Sequence, residues 1–89
     1  MSGLCEFCGR WGELERHHLI GGTANRKNSE RYGLTIMLCI KCHTDAHEDP
    51  ATYKTLHKYG QRKFMTEQNA KVEDFIRVFG KNYLEDVDG

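Results

Sequence analysis

Four cysteines occur in two closely spaced pairs, Cys5-x2-Cys8 and Cys39-x2-Cys42, separated by 30 residues. A gap of two residues lets both thiolates of a pair bind one tetrahedral metal ion, and two such pairs complete a closed four-cysteine zinc site. A closed site stabilises a fold but leaves no coordination position for a substrate. The spacing therefore predicts a structural Zn²⁺ bound by all four cysteines.

Two other uses of the cysteines are weaker on sequence alone. Disulfide bonds need an oxidising compartment, whereas the N-terminus, MSGLCEFCGR, lacks the apolar stretch of a secretory signal peptide. A redox role would need a thioredoxin-like context, which neither pair has. We therefore expect a cytoplasmic protein that uses its cysteines for metal binding.

Four histidines form a second group, in which His17 and His18 are adjacent and His43 precedes His47 by four residues. On a helix, His43 and His47 project from one face and can share an ion. Adjacent residues of a strand point to opposite faces, so one of His17 and His18 can join them while the other is free for proton transfer. Three imidazoles leave positions for water and a phosphate oxygen, as in a catalytic metal site.

A purely structural use of these histidines is the alternative, because closed metal sites with mixed ligands are common. A two-cysteine, two-histidine zinc finger does not fit. That motif places about twelve residues between its second cysteine and its histidines, whereas eight separate Cys8 from His17. The fifth histidine, His57, we interpret as a surface or capping residue.

Length and composition predict one small soluble domain. The chain has 89 residues, of which 38% are hydrophobic and 29% are charged, and a core of that size benefits from a structural metal. No apolar run approaches the roughly 20 residues that span a bilayer, so we expect no membrane association. The formal net charge is zero, but residues 1–63 hold ten Lys and Arg against seven Asp and Glu. This asymmetry permits a phosphate-facing half without requiring one.

Short elements must position the metal-binding residues. Residues 13–20 contain a possible strand that carries the adjacent histidines, residues 34–38 are rich in β-formers, and a short helix opens at residues 39–42. The polar and basic segment between the strands, residues 21–33, has glycine at both ends, and we predict a loop there. The acidic tail, residues 85–89, is expected to fray.

Two helices are predicted after the histidine-bearing helix. Asp49-Pro50 is a start signal for a helix over about 50–65. A last helix over about 67–80 would be capped by Thr66 and ended by Gly80, and its apolar residues recur with helical spacing. We assign core or near-core packing to Trp11, Tyr32, Tyr53, Leu56 and Phe64. A basic set on the first of these helices forms either a solvated face or a surface for DNA or a dimer partner: Lys54, Lys58, Arg62 and Lys63.

The segments HHLI and LCIKCHTDAH, together with the four cysteines, resemble the signature of the His-Asn-His (HNH) endonuclease family over roughly residues 5–47. The layout is similar to that of small phage and bacterial members. The resemblance implies an α+β fold, a zinc-stapled ββα-metal (His-Me finger) core over about 5–49 followed by the two helices, within a single domain 1–89. It also implies a cytoplasmic location in a bacterium or a phage-infected cell.

The resemblance also implies an activity, the hydrolysis of phosphodiester bonds in nucleic acid, with DNA as the first candidate. His17, His43 and His47 would bind a divalent ion and His18 would be the general base that activates water. The ion would be Mg²⁺ or Mn²⁺ by resemblance, although imidazole ligands by themselves favour Ni²⁺ or Zn²⁺. Arg16 is assigned to the catalytic machinery. Basic residues of the segment 21–33 would bind flanking phosphates, unless they form only a solvated loop: Arg26, Lys27 and Arg31.

One position departs from the family pattern, because the middle asparagine, nine residues before the first helical histidine, is Leu34 here. That asparagine orients the base-bearing loop in the family, and Asn25 or Asn28 are candidates to replace it. The departure supports a second hypothesis, a non-catalytic zinc module that binds nucleic acid or a protein. A small domain without basic excess should bind nucleic acid weakly, so we expect recruitment by a protein partner or a homodimer. The sequence leaves open DNA against RNA, strandedness and sequence specificity.

Overall fold

The fold, in a computed structural model that describes residues 1–84, combines a three-stranded antiparallel sheet with four helices. The strands are β1 (Ser2–Leu4), β2 (Trp11–His18) and β3 (Thr35–Cys39), and the helices are α1 (Thr23–Arg31), α2 (Ile40–Glu48), α3 (Pro50–Glu67) and α4 (Val72–Phe79). The expected small α+β fold is confirmed: β2, β3 and α2 form a ββα unit, and α3 and α4 follow it. The predicted acidic tail, 85–89, lies outside the described residues. No helix within 1–84 is long and apolar enough to cross a membrane.

The pairing of β2 with β3 sets the position of both histidine-bearing elements. The two strands are antiparallel, with Leu14 opposite Cys39 and His17 opposite Ile36. Along β3, Ile36 and Leu38 are buried while their neighbours are only partly covered, the period-2 pattern of a half-buried strand. Because α2 begins directly after β3, this register brings the start of α2 beside β2.

The predicted loop over residues 21–33 is wrong, because α1 occupies most of this segment. Ser29 is the one buried residue of α1, so the helix has no apolar stripe that could have signalled it. The helix is instead attached to the rest of the fold through the buried Ser29 side chain, which bonds the backbone of Ile20. The Ser29 hydroxyl donates to the Ile20 carbonyl oxygen at 2.9 Å and accepts from the Ile20 N–H at 3.2 Å.

Two asparagines of α1 bind the end of α4. The side-chain amide of Asn25 donates to the Phe79 carbonyl at 3.1 Å, and that of Asn28 donates to the Val78 carbonyl at 3.1 Å. The last carbonyls of a helix have no partner within it, so these bonds satisfy groups that would otherwise need water. Asn25 and Asn28 are therefore structural links, and our suggestion that one of them replaces the family's asparagine beside the histidines is wrong.

The boundaries of the C-terminal helices agree with the sequence signals at two of four ends. Asp49 caps α3 by accepting from the Thr52 N–H at 3.1 Å, and Gly80 ends α4 with φ of 89°. The proposed cap at Thr66 is wrong, because α3 continues to Glu67 and α4 begins only at Val72. The Lys71 N–H at that start donates to the Asp74 carboxylate at 3.0 Å, a bond that a search for Ser or Thr caps overlooks.

The core contains two of the five residues assigned to packing, Leu56 and Phe64, as buried side chains. Tyr32 packs against them, with its ring 5.0 Å from that of Phe64. Trp11 is 71% exposed and was assigned wrongly. It pairs with exposed Leu4 at the end of the β1–β2 ribbon, and neither belongs to the core cluster. The assignment of Tyr53 is also wrong, because its side chain is 41% exposed and lies outside this cluster.

A glycine in the middle of α3 allows the closest approach between this helix and the chain after β2. A Cβ atom on Gly60 would lie 2.9 Å from Leu19 Cβ and 3.2 Å from Ile20 Cδ1. Leu19 Cβ is attached directly to the backbone and both neighbours are fully buried, so the clash cannot be relieved by a side-chain rotation.

We predict that Gly60→Ala destabilises the protein although alanine is the better helix former. Overpacking costs about 1–3 kcal/mol and the gain in helix propensity is about 1 kcal/mol. Because the clash with Leu19 Cβ cannot be relieved by rotation, we expect the upper part of this range, a fall in the free energy of unfolding of about 2 kcal/mol. Denaturant titration with zinc present measures this, and Thr55→Ala, at an exposed site of the same helix, should change stability by less than about 0.5 kcal/mol. A Gly60→Ala protein as stable as the wild type would contradict the close packing.

Candidate metal centres

The first centre is the cluster of four cysteines, whose sulfur atoms all lie within 4.8 Å of one another. Cys8 Sγ and Cys39 Sγ are 3.8 Å apart. Sulfurs bound at about 2.3 Å to one tetrahedral zinc stand about 3.8 Å apart, whereas a disulfide requires about 2.05 Å. All four cysteines are free. The cluster could therefore bind a structural zinc, and it is not paired in disulfides.

Backbone N–H groups donate hydrogen bonds to two of these sulfurs, Cys5 Sγ and Cys39 Sγ. The N–H groups of Phe7 and Cys8 each donate to Cys5 Sγ at 3.4 Å, and that of Cys42 donates to Cys39 Sγ at 3.5 Å. Burial raises the pKa of the Cys5 thiol, but hydrogen bonds from the backbone outweigh this effect and lower it to about 6. The thiolate is the form that binds metal, so the turn itself favours the ligand.

The cysteine pairs meet because each is attached to the sheet. The Glu6 N–H donates to the Met37 carbonyl at 3.0 Å and the Gly9 N–H to the Cys5 carbonyl at 2.9 Å, which fixes the first turn against β3. Gly9 has φ of 80°, a conformation that favours glycine. The second pair spans the junction of β3 and α2, where Cys39 is the N-cap residue.

The second centre consists of His17 at the end of β2 and His43 and His47 one turn apart on α2. Their ligand nitrogens lie within 4.8 Å of one another, and the three ring centroids are 5.1, 5.2 and 5.3 Å apart. His18 is not in this group. The structure thus separates the two adjacent histidines, as their positions on a strand predicted.

His17 provides the test of whether a metal fits. Its side chain is 5% exposed, and its Nε2 is the single buried side-chain nitrogen or oxygen without a hydrogen-bond partner among residues 1–84. Burial, with the nearby charges of His43 and His47, lowers the pKa of His17 to about 4. A neutral imidazole with an unsatisfied nitrogen is a metal ligand in its binding form. The donor set therefore fits a divalent ion.

Glu15, which the sequence analysis did not single out, orients one of these ligands. Its carboxylate lies 2.7 Å from His43 Nδ1, which leaves Nε2 of His43 for a metal. A carboxylate on the far nitrogen of a metal-binding histidine fixes its tautomer and ring orientation. Glu15 stands two residues before His17, on the same face of β2, and this spacing was the signal that could have identified it.

Glu30 contacts His18, the histidine outside the three-histidine group. Its carboxylate lies 2.8 Å from His18 Nε2 through one oxygen and accepts from the Arg16 guanidinium at 2.9 Å through the other. The hydrogen bond with His18, with help from the charge of Arg16, lowers the pKa of Glu30 despite some burial. Glu30 was missed because it lies near the end of α1, in the segment we predicted as a loop.

An open cavity of about 580 Å³ joins these groups. It brings together the three-histidine cluster, His18, Arg16 and, among the basic residues of α1, Arg26. Lys27 and Arg31 do not line it, and the Arg31 guanidinium lies 5.7 Å from the ring centre of Tyr32. The remaining wall is the turn before α1, Gly21, Gly22 and Thr23.

Leu34, at the position where the HNH pattern has asparagine, is completely buried in the core. His57, interpreted as a surface or capping residue, is also buried, at 4% exposure. Its ring stacks on Tyr53 at 3.9 Å, and its Nδ1 lies 2.9 Å from the Tyr53 carbonyl oxygen.

Comparison of the chain with protein-family models, curated proteins and solved structures gives no significant match.

We predict that zinc bound by the cysteines is required for folding. Structural zinc supplies about 10–16 kcal/mol of apparent binding free energy, as much as the whole stability of a typical domain. Cys42→Ala, or treatment of the wild type with a strong chelator, should abolish the folded circular dichroism spectrum and the bound zinc measured by mass spectrometry. His47→Ala should keep one zinc per chain. A folded protein without zinc would rule out this role.

Proposed function

We propose that this chain is an HNH-type, metal-dependent endonuclease that hydrolyses phosphodiester bonds of DNA. The observation that supports this most strongly is that one open cavity is lined by two kinds of histidine. Three imidazoles converge there, and the Nε2 of His17 has no hydrogen-bond partner, whereas His18 lies outside this group. The ββα arrangement and the four-cysteine cluster are consistent with the same family. Arg16 and Arg26 add the positive charge that a phosphate requires.

His17, His43 and His47 are the proposed ligands of the divalent ion. When bound, such an ion would neutralise charge that develops on the phosphorane and on the leaving 3′-oxygen. Mg²⁺ or Mn²⁺ is our first choice by resemblance, and Ni²⁺ or Zn²⁺ follows from the imidazole donors. The bond between His43 and Glu15 keeps one ligand in the correct tautomer.

His18 is the proposed general base. If its Nε2–H donates to the ionised Glu30, the lone pair of the ring is on Nδ1, which can accept a proton from water. The water oxygen then forms a bond to phosphorus, the bond from phosphorus to the 3′-oxygen breaks, and the proton stays on Nδ1. The imidazolium that forms is stabilised by the Glu30 carboxylate, in the manner of a carboxylate behind a catalytic histidine.

Glu30 thus acts as a positioning residue through His18. In the family the asparagine orients the base-bearing loop, and Leu34 cannot do so from the core. Here α1 presents the Glu30 carboxylate to the proposed base instead. The same carboxylate aligns Arg16, whose remaining guanidinium N–H groups would bind a phosphate oxygen.

A non-catalytic zinc module is the second candidate. Two observations favour it. A buried leucine, Leu34, stands where the family has asparagine, and the net charge of the chain is zero. It predicts zinc binding and partner or nucleic-acid binding without metal-dependent cleavage. The two candidates share every feature of the cysteine cluster, so only the histidine cavity distinguishes them.

We predict that His18→Ala abolishes cleavage, lowering the rate by about 10²–10⁴-fold, while zinc content and fold are unchanged. Plasmid and single-stranded substrates are tested with Mg²⁺, Mn²⁺, Ni²⁺ or no added ion, beside the wild type. The control is Glu73→Gln, at an exposed site. His57→Ala is not a suitable control, because His57 is buried and its loss would disturb the core. Cleavage retained by His18→Ala would refute the assignment of the base, and a folded, zinc-loaded wild type that cuts nothing would favour the binding module.

We predict that Glu30→Gln lowers kcat by about 10²-fold, because a misplaced catalytic group costs about that factor, and that KM rises as well, because the ion pair that aligns Arg16 is lost. The amide keeps the size of the side chain but cannot stabilise the imidazolium. Glu30→Asp should restore part of the rate, since it returns the charge. The matched control is again Glu73→Gln, and an unchanged kcat in Glu30→Gln would show that the contact with His18 is not used.

A further inference from the structure

The beginning of α1 forms one wall of the histidine cavity. Gly21, Gly22 and Thr23 line the cavity of about 580 Å³, and the two glycines also line an adjoining space of about 260 Å³. The first bond within the helix runs from the Arg26 N–H to the Gly22 carbonyl at 2.9 Å. The N–H groups of residues 23–25 come before this bond, and such groups at the start of a helix need a partner from outside it.

Gly22 occupies the N-cap position and has no side chain that could accept from these N–H groups. Its φ of 99° favours glycine, and a Cβ atom built there would meet no atom of residues 1–84 within 4 Å beyond its chain neighbours. The first turn of α1 contains no acidic residue. The partial positive charge of this helix terminus is therefore presented to the cavity without a carboxylate from its own first turn.

Arg26 adds a full positive charge to the same wall. It lies in the first turns of α1 and lines the cavity. Side chains of a helix lean towards its N-terminus, so the guanidinium of Arg26 and the N–H groups before it can bind one anion together. Arg16 also lines the cavity, but its guanidinium forms an ion pair with Glu30 at 2.9 Å.

A second observation points to a ligand in this part of the cavity. His17 is 5% exposed, and its Nε2 has no hydrogen-bond partner among residues 1–84. Its ring lines both of the spaces that Gly21 and Gly22 line. Three imidazoles leave coordination positions of an ion open to phosphate oxygens. The three-histidine group and the start of α1 can therefore contact parts of the same ligand.

We infer that the start of α1, together with Arg26, binds a phosphate group of the nucleic-acid strand that the histidine cavity receives. That the ligand is a nucleic acid rests on the proposed nuclease function, whereas the anion site rests on the helix terminus, Arg26 and His17. A chain with zero net charge thus binds a polyanion through backbone dipoles as well as side-chain charges. These N–H groups contact phosphate oxygens only, so they orient the strand without selecting a base sequence.

The first experiment detects the anion at the N–H groups themselves. Amide NMR spectra of the isotope-labelled, zinc-loaded chain carrying His18→Ala, which should not cut, are recorded during titration with inorganic phosphate. A separate titration uses a short oligonucleotide, single-stranded or duplex, and sodium chloride at the same ionic strength is the blank. We expect saturable shifts of the amide signals of residues 23–25. Smaller shifts are expected at the start of α3, where the Thr52 N–H already donates to Asp49 at 3.1 Å.

Shifts no larger than those of the chloride blank would overturn the anion site. Shifts with inorganic phosphate but none with either oligonucleotide would overturn its assignment to a nucleic-acid strand. Larger shifts with one kind of oligonucleotide would support the inference and identify the strand that binds.

The second experiment places a carboxylate where the phosphate would bind. In the same His18→Ala chain, Thr23→Asp should weaken oligonucleotide binding, measured by fluorescence anisotropy, by about 10-fold, the factor that one hydrogen bond to a charged group contributes. It should also raise the denaturant midpoint, because a carboxylate stabilises a helix N-terminus. The matched control, Ala51→Asp, adds the same charge at an exposed residue in the first turn of α3 and should weaken binding by less than about 2-fold. Equal losses in the two variants would overturn the inference.

The third experiment tests the side chain of Arg26. In Arg26→Gln, the slope of log K against log salt should fall in magnitude by about 0.7 for single strands or about 0.9 for duplexes, the contribution of one phosphate contact. Lys71→Gln removes the same charge at an exposed residue that lines neither space, and it should leave the slope unchanged. An unchanged slope in Arg26→Gln would overturn the role of Arg26.

The anion site and the nuclease fail independently. Thr23→Asp is also made in the active chain, and cleavage is assayed with each metal. Metal-dependent cleavage with KM unchanged by Thr23→Asp would leave the nuclease standing and overturn the anion site. Amide shifts and binding that depend on the start of α1, without cleavage under any metal, would leave the anion site standing and refute the nuclease.

Discussion

The placement of α2 against β2 is the constraint on which both metal centres depend. Cys39 and Cys42 lie at the beginning of this helix and His43 and His47 continue it, so one short segment supplies half of the first ligand set and two thirds of the second. A zinc bound by the cysteines would fix the end of α2, and the antiparallel register of β2 with β3 would then bring His17 to its face. Because Cys42 and His43 are adjacent, a shift of the helix at one centre would be transmitted to the other. The same nine-residue helix therefore carries residues of both candidate metal centres.

The sequence was most informative where a residue type has few alternative uses. Four patterns follow from local chemistry: cysteine pairs three positions apart, histidines four positions apart on a helix, Asp-Pro at a helix start and Gly at a helix end. The structure has each of them in its expected place. What could not be predicted depends on contacts across the chain. α1 has no apolar stripe and is held by polar bonds to Ile20 and to the end of α4, and such bonds leave no periodic trace. Glu30 was missed with it. Trp11 and His57 show that residue type alone is a poor guide to burial in so small a core, since the aromatic ring is exposed and the imidazole is covered.

α1 connects the two ends of the molecule. Through Asn25 and Asn28 it binds the last carbonyls of α4, and through Glu30 it contacts His18 at the cavity. The C-terminal helices are therefore not merely a cover for the ββα unit. By fixing α1 they contribute to the position of the Glu30 carboxylate, and Gln61 of α3 accepts from the Tyr83 N–H of the segment after α4. Polar side chains thus connect the C-terminal helices to the histidine cavity.

The unsatisfied Nε2 of His17 has a thermodynamic consequence of its own. A buried polar atom without a partner costs on the order of 1–3 kcal/mol, and any species that satisfies it in the folded chain, but not in the unfolded one, shifts the folding equilibrium by mass action. A metal ion bound by the histidine centre only in the folded chain would therefore raise the fraction of native protein, and ions would compete there by how strongly each favours the folded form.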